Sequence, residues 1–276
     1  MALNSVNTNV GAMIALQNLS VTNNELSTVQ NRINTGLKVS SAKDNGAIWA
    51  IAQGQRAEIG ALNAVKDSLN RGQSAVDVSL AAGESVSDLL IQLKEKALAA
   101  TDTSLSTSAR SALNEDFTSI RDQIATVVSN ASFNGVNLLD GSATAGFKAL
   151  ANVAGSTITI NDEDMSLSGS IVTLAASESI STSTTATAAL AKVDASIANV
   201  SASLARLGTG SKSLGTHLTF VGKLQDTLEA GVGNLVDADL AKESARLQSL
   251  QTKQQLGVQA LSIANSSTSM LLGLFR

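Results

Sequence analysis

Apolar residues recur at both ends of the chain in short, regular steps. Near the start they fall on Leu19, Thr22, Leu26, Val29 and Ile33, in steps of three and four. Near the end, Leu240, Leu247, Leu250, Gly257 and Leu261 follow in steps of seven, three, seven and four. A strict three-four alternation averages about 3.5 residues, the period of a coiled-coil seam. Each end therefore predicts one long helix with a narrow apolar stripe, over Val6 to Ile33 and over Asp237 to Leu272. Such a stripe stays in water only if something covers it. The simplest cover for one end is the other end, running antiparallel, with everything else looped out between them.

The interior repeats the pattern. Asn34-Thr35-Gly36 is a helix stop. Residues 37 to 43 read as a connector, and Asp44 as the cap of a second helix. That helix carries Leu62, Val65, Leu69, Gly72, Val76, Leu80, Gly83, Val86, Leu90 and Leu93 on one seam and runs to about Ala100. Glycines on a seam imply close helix approach rather than breaks. A polar turn over Thr101 to Thr107 leads to a third helix with Leu113, Phe117, Ile120, Ile124 and Val127, ending near Asn130. From 136 to 175 the character changes. Ser156 to Ile160 alternates and Ile171-Val172-Thr173 is β-branched, which predicts one or two short hairpins, with Asp162-Glu163-Asp164 as a solvated turn. Next, Leu190, Val193, Ile197, Val200, Leu204, Leu207, Ser211, Leu214, Leu218 and Val221 alternate three and four without a slip. Gly231 and Gly233 predict a hinge, and Asp237 and Asp239 the first turn of the last helix.

The expected fold is mainly α: a long antiparallel coiled-coil helix bundle with paired terminal helices and a small β-hairpin region at the tip. Residues 1–36 and 237–276 form the terminal pair. Residues 37–236 form a rod of long helices whose hairpin tip lies at about 133–176.

Composition narrows what such a rod does. Proline, tyrosine and cysteine are absent and aromatic residues make up 2%, so the interior consists of thin seams rather than a thick aromatic core, and no disulfide or thiolate chemistry is available. Trp49 reads as a packing anchor between helix layers. A net charge of -4 with 15% charged residues does not suit nucleic acid, which requires a basic face. The first 36 residues carry only Glu25 and Arg32 as charged side chains, beside eight asparagines. A neutral face of that kind suits packing against further protein, because desolvating charge is costly. Met1 to Met13 has neither a basic residue nor a continuous apolar run, so no cleaved signal peptide is expected. No apolar run is long enough for a membrane span.

Particular motifs then carry a resemblance. Met1-Ala2-Leu3-Asn4-Ser5-Val6-Asn7-Thr8-Asn9, Asn18-Leu19, Arg32 to Val39 and Ser41 to Asn45 resemble the start of bacterial flagellin. Phe133-Asn134-Gly135-Val136-Asn137-Leu138-Leu139-Asp140-Gly141 is similar to that family's hairpin motif. Val236 to Glu243 and Gln259 to Asn265 resemble its C-terminal signature, and Leu274-Phe275-Arg276 that of the short alphaproteobacterial kind. The resemblance implies a structural subunit that self-assembles into the flagellar filament for swimming. The terminal helices would form the inner tube and the interior helices a surrounding rod layer. Its polymerisation seam would include Leu19, Leu26, Val29, Ile33, Leu240, Leu247, Leu250 and Leu261. It further implies an extracellular location on the flagellum, delivery by the type III export apparatus with a chaperone, and hook-associated junction and cap proteins as partners. No nucleic acid, membrane or cofactor is implied. Flagellins of this kind are often O-glycosylated, and the Ser/Thr density of residues 142 to 187 fits acceptors. Family members often have a proline near the end of the last helix. This chain has Asn265-Ser266-Ser267-Thr268 there, so the helix is expected to run on. In flagellins detected by the mammalian Toll-like flagellin receptor, the stretch matching Leu90 to Ala97 has an arginine at Gln92 and a leucine at Lys96, so both positions imply evasion of that receptor.

Two alternatives share features with this reading: a hook–filament junction protein and a coiled-coil signalling rod. The second normally shows far more Glu and Lys. An enzyme is disfavoured. The single histidine, His217, flanks a seam position and has no second His or Cys with which to hold a metal. Asp237 with Asp239 reads as helix capping, and Gly208-Thr209-Gly210 lacks the rest of a phosphate loop.

Overall fold

A computed structural model of the chain describes residues 8–273, with side chains as far as residue 266. The opening motif over residues 1–7 and the closing Leu274-Phe275-Arg276 lie outside the described residues. Five helices and four short strands follow in the order α1 (Val10–Thr35), α2 (Gly46–Ala100), α3 (Thr107–Asn130), β1 (Ser132–Phe133), β2 (Val136–Asn137), β3 (Phe147–Leu150), β4 (Thr157–Ile160), α4 (Ser183–Val236) and α5 (Leu240–Gly273). The chain divides into two compact units, Met1–Ala57 with Thr227–Arg276, and Glu58–Asp226.

In the first unit, α1 starts at Asn9, whose side chain accepts from the Ala12 N–H at 2.9 Å. It ends at Gly36, which adopts φ 72° and returns its N–H to the Arg32 carbonyl at 2.9 Å. This left-handed stop is the reason glycine stands there. Leu37 forms a β-bridge with Asp237, supported by Lys38 N–H to Val236 O at 2.7 Å and Ala238 N–H to Gly36 O at 2.8 Å. The connectors 36–45 and 237–239 are thus stitched to each other. Asp44 does not cap α2. Its carboxylate accepts from the Ser40 hydroxyl and from the N–H groups of Ser40 and Ser41, each at 2.9 Å, and these bonds, the Ser40 hydroxyl foremost, hold its pKa below the usual carboxylate range. Asn45 is the cap, accepting from Ile48 N–H at 3.1 Å.

The expected hinge at Gly231 and Gly233 is absent, because α4 continues through both to Val236. Burial of Val232 and Val236 offsets the helix cost of about 1 kcal/mol per glycine. Asp237 lies in the bridge, and Asp239 caps α5 by accepting from Lys242 N–H at 3.1 Å, so both precede the helix. As expected, α5 runs on through Asn265 to Thr268.

The second unit has its core along α2, α3 and α4. On α4, Val193, Val200, Leu207, Leu214 and Val221 are seven apart and all buried, while the intervening Leu190, Ile197, Leu204, Ser211 and Leu218 are half-buried. That alternation marks a seam closed on one flank. Gly83 sits where a Cβ would come within 2.7 Å of Leu204 on α4, and Gly72 where it would meet the Phe147 ring at 2.9 Å. Both glycines are there for space. Ser106 caps α3. The buried Arg110 guanidinium donates to the carbonyls of Ala100 and Asp102, satisfying the carbonyl end of α2 with a cation.

Asn134 and Gly135, with φ of 50° and 80°, form the tight turn between the antiparallel strands β1 and β2. β3 pairs with β4 from Phe147↔Ile160 to Leu150↔Thr157. Ile171-Val172-Thr173 is not a strand. Ile171, Val172 and Leu174 are buried, and the segment's backbone is shared between the 164–168 loop, through Ile171 N–H to Asp164 O at 3.2 Å and Ser168 N–H to Leu174 O at 2.7 Å, and α4 side chains: Ser196 Oγ accepts from Thr173 N–H at 3.1 Å, and Asn199 Nδ2 donates to Ile171 O at 3.2 Å. Loop backbone and helix side chains together replace the ladder a partner strand would have supplied.

The 162–164 turn is not simply solvated. Glu163 is 7% exposed and takes a two-pronged bond from Arg206 and a bond from Ser203 Oγ at 2.8 Å. Burial pushes its carboxyl up, but those bonds and the Arg206 charge outweigh it and hold the pKa below the usual value. Asp162 lacks such a partner. Burial, together with the charges of Asp164, Asp140 and Glu163, pushes it up to about 6.

Candidate assembly interface

α1 and α5 lie side by side and antiparallel. As the position in α1 rises, its partner in α5 falls. Asn9 Nδ2 donates to Ala264 O at 2.7 Å, Gln254 Nε2 to Asn23 Oδ1 at 2.8 Å, and Arg32 Nη1 meets Glu243 Oε1 at 3.1 Å. Arg246 and Glu25 form a looser ion pair at 3.6 Å. Gly257 permits the closest approach, with its Cβ position 3.3 Å from Leu19 Cδ1.

The seam buries Val29 to 1% and Leu250 to 2% exposure. Leu19, Leu26 and Ile33 on α1, and Leu247 and Leu261 on α5, are half-buried beside them. Leu240 stands apart from the seam inside the subunit: it is 49% exposed. It is the first residue of α5, directly after the Asp239 cap, and the inward position one turn later belongs to Glu243. The seam residues of α5 are Glu243, Leu247, Leu250, Gln254, Gly257, Leu261 and Ala264, all buried or half-buried in unbroken four-three steps. Glu243 and Gln254 escape a search for apolar residues. Their spacing is the signal that would have found them.

A second set of apolar residues has no cover among the described residues. Val10, Met13, Ile14, Leu16 and Val21 on α1 are all more than half exposed, as are Leu256, Val258 and Ile263 on α5. The α1 residues, with Gln17 and Ser20, line a shallow groove of about 710 Å³. Val10, Ile14, Gln17 and Val21 recur in four-three-four steps, so this is a helical flank and not scattered exposure. The off-register apolar residues of α1 were visible in the sequence. The seam drew attention away from them.

Gln92 and Lys96 lie on α2. Gln92 is exposed. Lys96 Nζ is 2.6 Å from Asp116 on α3, and the neighbouring Lys94 is paired with Asp194 on α4 at 2.8 Å. Both lysines are turned to the flanks. The strip between them, Glu84, Asp88, Ile91, Glu95, Leu98 and Asp102, is exposed at four-three spacing.

His217 is half-buried on α4, with Nε2 2.6 Å from the Ala151 carbonyl and its ring beside Phe220 at 5.8 Å. It ties the end of β3 to the helix. Trp49 is half-buried near the start of α2. Among the described residues no group of three or more His, Cys, Asp or Glu side chains is placed to hold a metal, and no helix is long and apolar enough to cross a membrane.

Comparison with known proteins follows this geometry closely. The family model for the bacterial flagellin N-terminal helical region matches residues 6–144, and that for the flagellin C-terminal helical region matches residues 190–275. The chain is 61% identical to flagellin FljK of Caulobacter vibrioides, covering 100% of both chains. It is 40% identical to a flagellin of Brucella melitensis, covering 99% of each. A solved structure of a proposed flagellar hook-associated protein from Vibrio parahaemolyticus aligns with 70% of this chain and 100% of its own, at a TM-score of 0.55 and 16% identity. At that identity it speaks for the fold alone.

Proposed function

The chain belongs to the bacterial flagellin family, and from that premise we propose how it builds a polymer. It is a structural subunit of the bacterial flagellar filament. α1 and α5 act as one element whose shared seam closes inside the subunit. The flank of Val10, Met13, Ile14, Leu16 and Val21 then beds against a second copy of the chain. This uncovered flank carries the reading: contiguous apolar surface beside a seam that is already satisfied marks a site of association. A contact between two different patches on identical subunits propagates as an open helical filament wherever its rotation does not close into a ring. Residues 1–36 with 237–276 form the inner tube on this reading, and residues 37–236 the rod layer around it.

The family reading extends to the partners. The subunit reaches the filament through the type III export apparatus, with a chaperone, and hook-associated junction and cap proteins bound the polymer. Exposed Ser142, Thr144, Ser177 and Ser181 are available as O-glycan acceptors, and an intact mass equal to the bare sequence, measured on sheared native filaments, excludes that modification. Gln92 and Lys96 make the unassembled subunit a poor ligand for the flagellin receptor.

Seeded growth of purified protein, followed by electron microscopy, tests the central reading. Long filaments support it. Discrete rods at every concentration sink it.

A further inference from the structure

We propose that Met13 is an oxidation switch on assembly, a reading that rests on the assembly flank described above. Two methionine side chains are described, and they contrast sharply. Met165 is fully buried, with its sulfur 3.6 Å from the Cβ position of Gly83. Met13 is 63% exposed in the middle of the α1 groove, one turn from Val10 and beside Ile14 and Gln17. A thioether is a soft apolar group that suits an adaptable interface. It is also the side chain there most open to a two-electron oxidant.

With hydrogen peroxide the step is a single oxygen transfer. The Sδ lone pair attacks the peroxide, the O–O bond breaks, an S–O bond forms, and the peroxide is reduced to water. The product is a chiral sulfoxide with a strongly accepting oxygen. Docking a second copy on this flank then requires that oxygen to give up its water hydrogen bonds in a groove lined mainly by Val10, Ile14, Leu16 and Val21, where Gln17 and Ser20 are the donor side chains and each already loses water on docking. Burying such a group unpaired is unfavourable. An oxidised subunit is therefore rejected from the growing end. A subunit already in place has its Met13 covered by its neighbour, so the switch acts before assembly. A thiol-dependent methionine sulfoxide reductase reverses it.

The test uses the full chain. Monomer is exposed to graded hydrogen peroxide and then grown on seed fragments, and the critical concentration after treatment is divided by that before it. The ratio is expected to reach about tenfold or more for the wild type, to return to one after treatment with both sulfoxide reductases, one for each sulfoxide epimer, and to stay near one for Met13→Leu. A second measurement needs no variant. Partly oxidised wild-type protein is allowed to polymerise, and polymer and supernatant are mapped by mass spectrometry. Met13 sulfoxide is expected to concentrate in the supernatant, and Met13 in preformed filaments to resist the same peroxide. Equal Met13 oxidation in polymer and supernatant overturns the proposal, as does an equal loss of growth in Met13→Leu. Failure of untreated wild type to grow on seeds overturns the assembly reading itself, a distinct result.

Discussion

Arg32 and Glu243, separated by 211 positions in sequence, meet at 3.1 Å across the α1–α5 seam with side chains 30% and 11% exposed. Only one prong of each is used: Arg32 Nε and Glu243 Oε2 are buried without a hydrogen-bond partner. A partly buried single-pronged pair lies between the small worth of surface pairs and the larger cost of breaking buried ones. Glu243→Ala leaves Arg32 uncompensated and should weaken the helix pair by about 1–2 kcal/mol, with Glu243→Gln losing less. Hydrogen–deuterium exchange across α1 reads this directly. Unchanged protection in Glu243→Ala would show that the pair contributes nothing.

The two flanks of the helix pair predict different phenotypes. Leu250 is buried in the closed seam, so Leu250→Glu buries a charge without a partner, costs about 3–5 kcal/mol, and separates α1 from α5. Ile14 is 54% exposed, so Ile14→Asp leaves the subunit's own contacts intact and blocks only docking of a copy. Both variants should fail to polymerise. Circular dichroism should separate them, with helix lost in Leu250→Glu and retained in Ile14→Asp. Filaments of normal length from Ile14→Asp would refute the flank assignment.

The contrast also shows what was legible in the sequence. Helices were readable because a three-four apolar period survives wherever a seam is closed. The α2 and α4 seams and the three-four stripe of α1 fall where that period puts them. The ends of elements were less readable. Asp44, Asp237 and Asp239 are all good cap residues by type, but which carboxylate caps which helix depends on the stitched connectors, a contact between positions about 200 residues apart. The buried Glu163 was invisible for a similar reason. Nothing near it in sequence announces Arg206 and Ser203, and an isolated Asp-Glu-Asp run looks like a turn. The uncovered flank of α1 was missed because period analysis rewards a single stripe, whereas a helix with an internal and an external partner carries two.

Asp162 gives a pH prediction. Its folded pKa, about 6, lies above the ordinary aspartate value of 3.8. The stabilisation associated with the protonated form is fully present below about pH 3.8 and is lost as pH rises through about 6. Ionised Asp162 therefore weakens the fold at neutral pH. Asp162 is half-buried, with Oδ1 enclosed and without a hydrogen-bond partner, and partial screening by solvent reduces the effect to about 1 kcal/mol. Asp162→Asn should melt higher than wild type at pH 7, with the gap closing by about pH 4. Glu163 runs the other way: its pKa is lowered, so its contribution holds at neutral pH and disappears as acid protonates it. Melting curves of both proteins at pH 4, 5 and 7 check the sign. A wild type more stable than Asp162→Asn at pH 7 contradicts it.

Gln92 and Lys96 bear on host detection. The receptor contact implied by the family needs a guanidinium fork at the first position and an apolar side chain at the second. Gln92 is exposed and offers only a neutral amide, which lacks the charge and planar fork that make arginine an interface anchor. Lys96 does not swing aside freely. Its ammonium is paired with Asp116 at 2.6 Å in a largely exposed ion pair, which adds about 1 kcal/mol or less to the cost of moving it. Glu95 remains exposed beside them, but a single anchor should not restore the site. Losing two anchors should weaken binding by about 3–5 kcal/mol, roughly a hundred- to a few thousand-fold. Gln92→Arg together with Lys96→Leu should recover much of that, and Gln92→Arg alone should recover less, because the ion pair persists. A reporter-cell titration of monomer decides it: half-maximal activation by the wild type at the concentration of a well-detected flagellin, or no gain in the double variant, would show that these two positions do not control recognition.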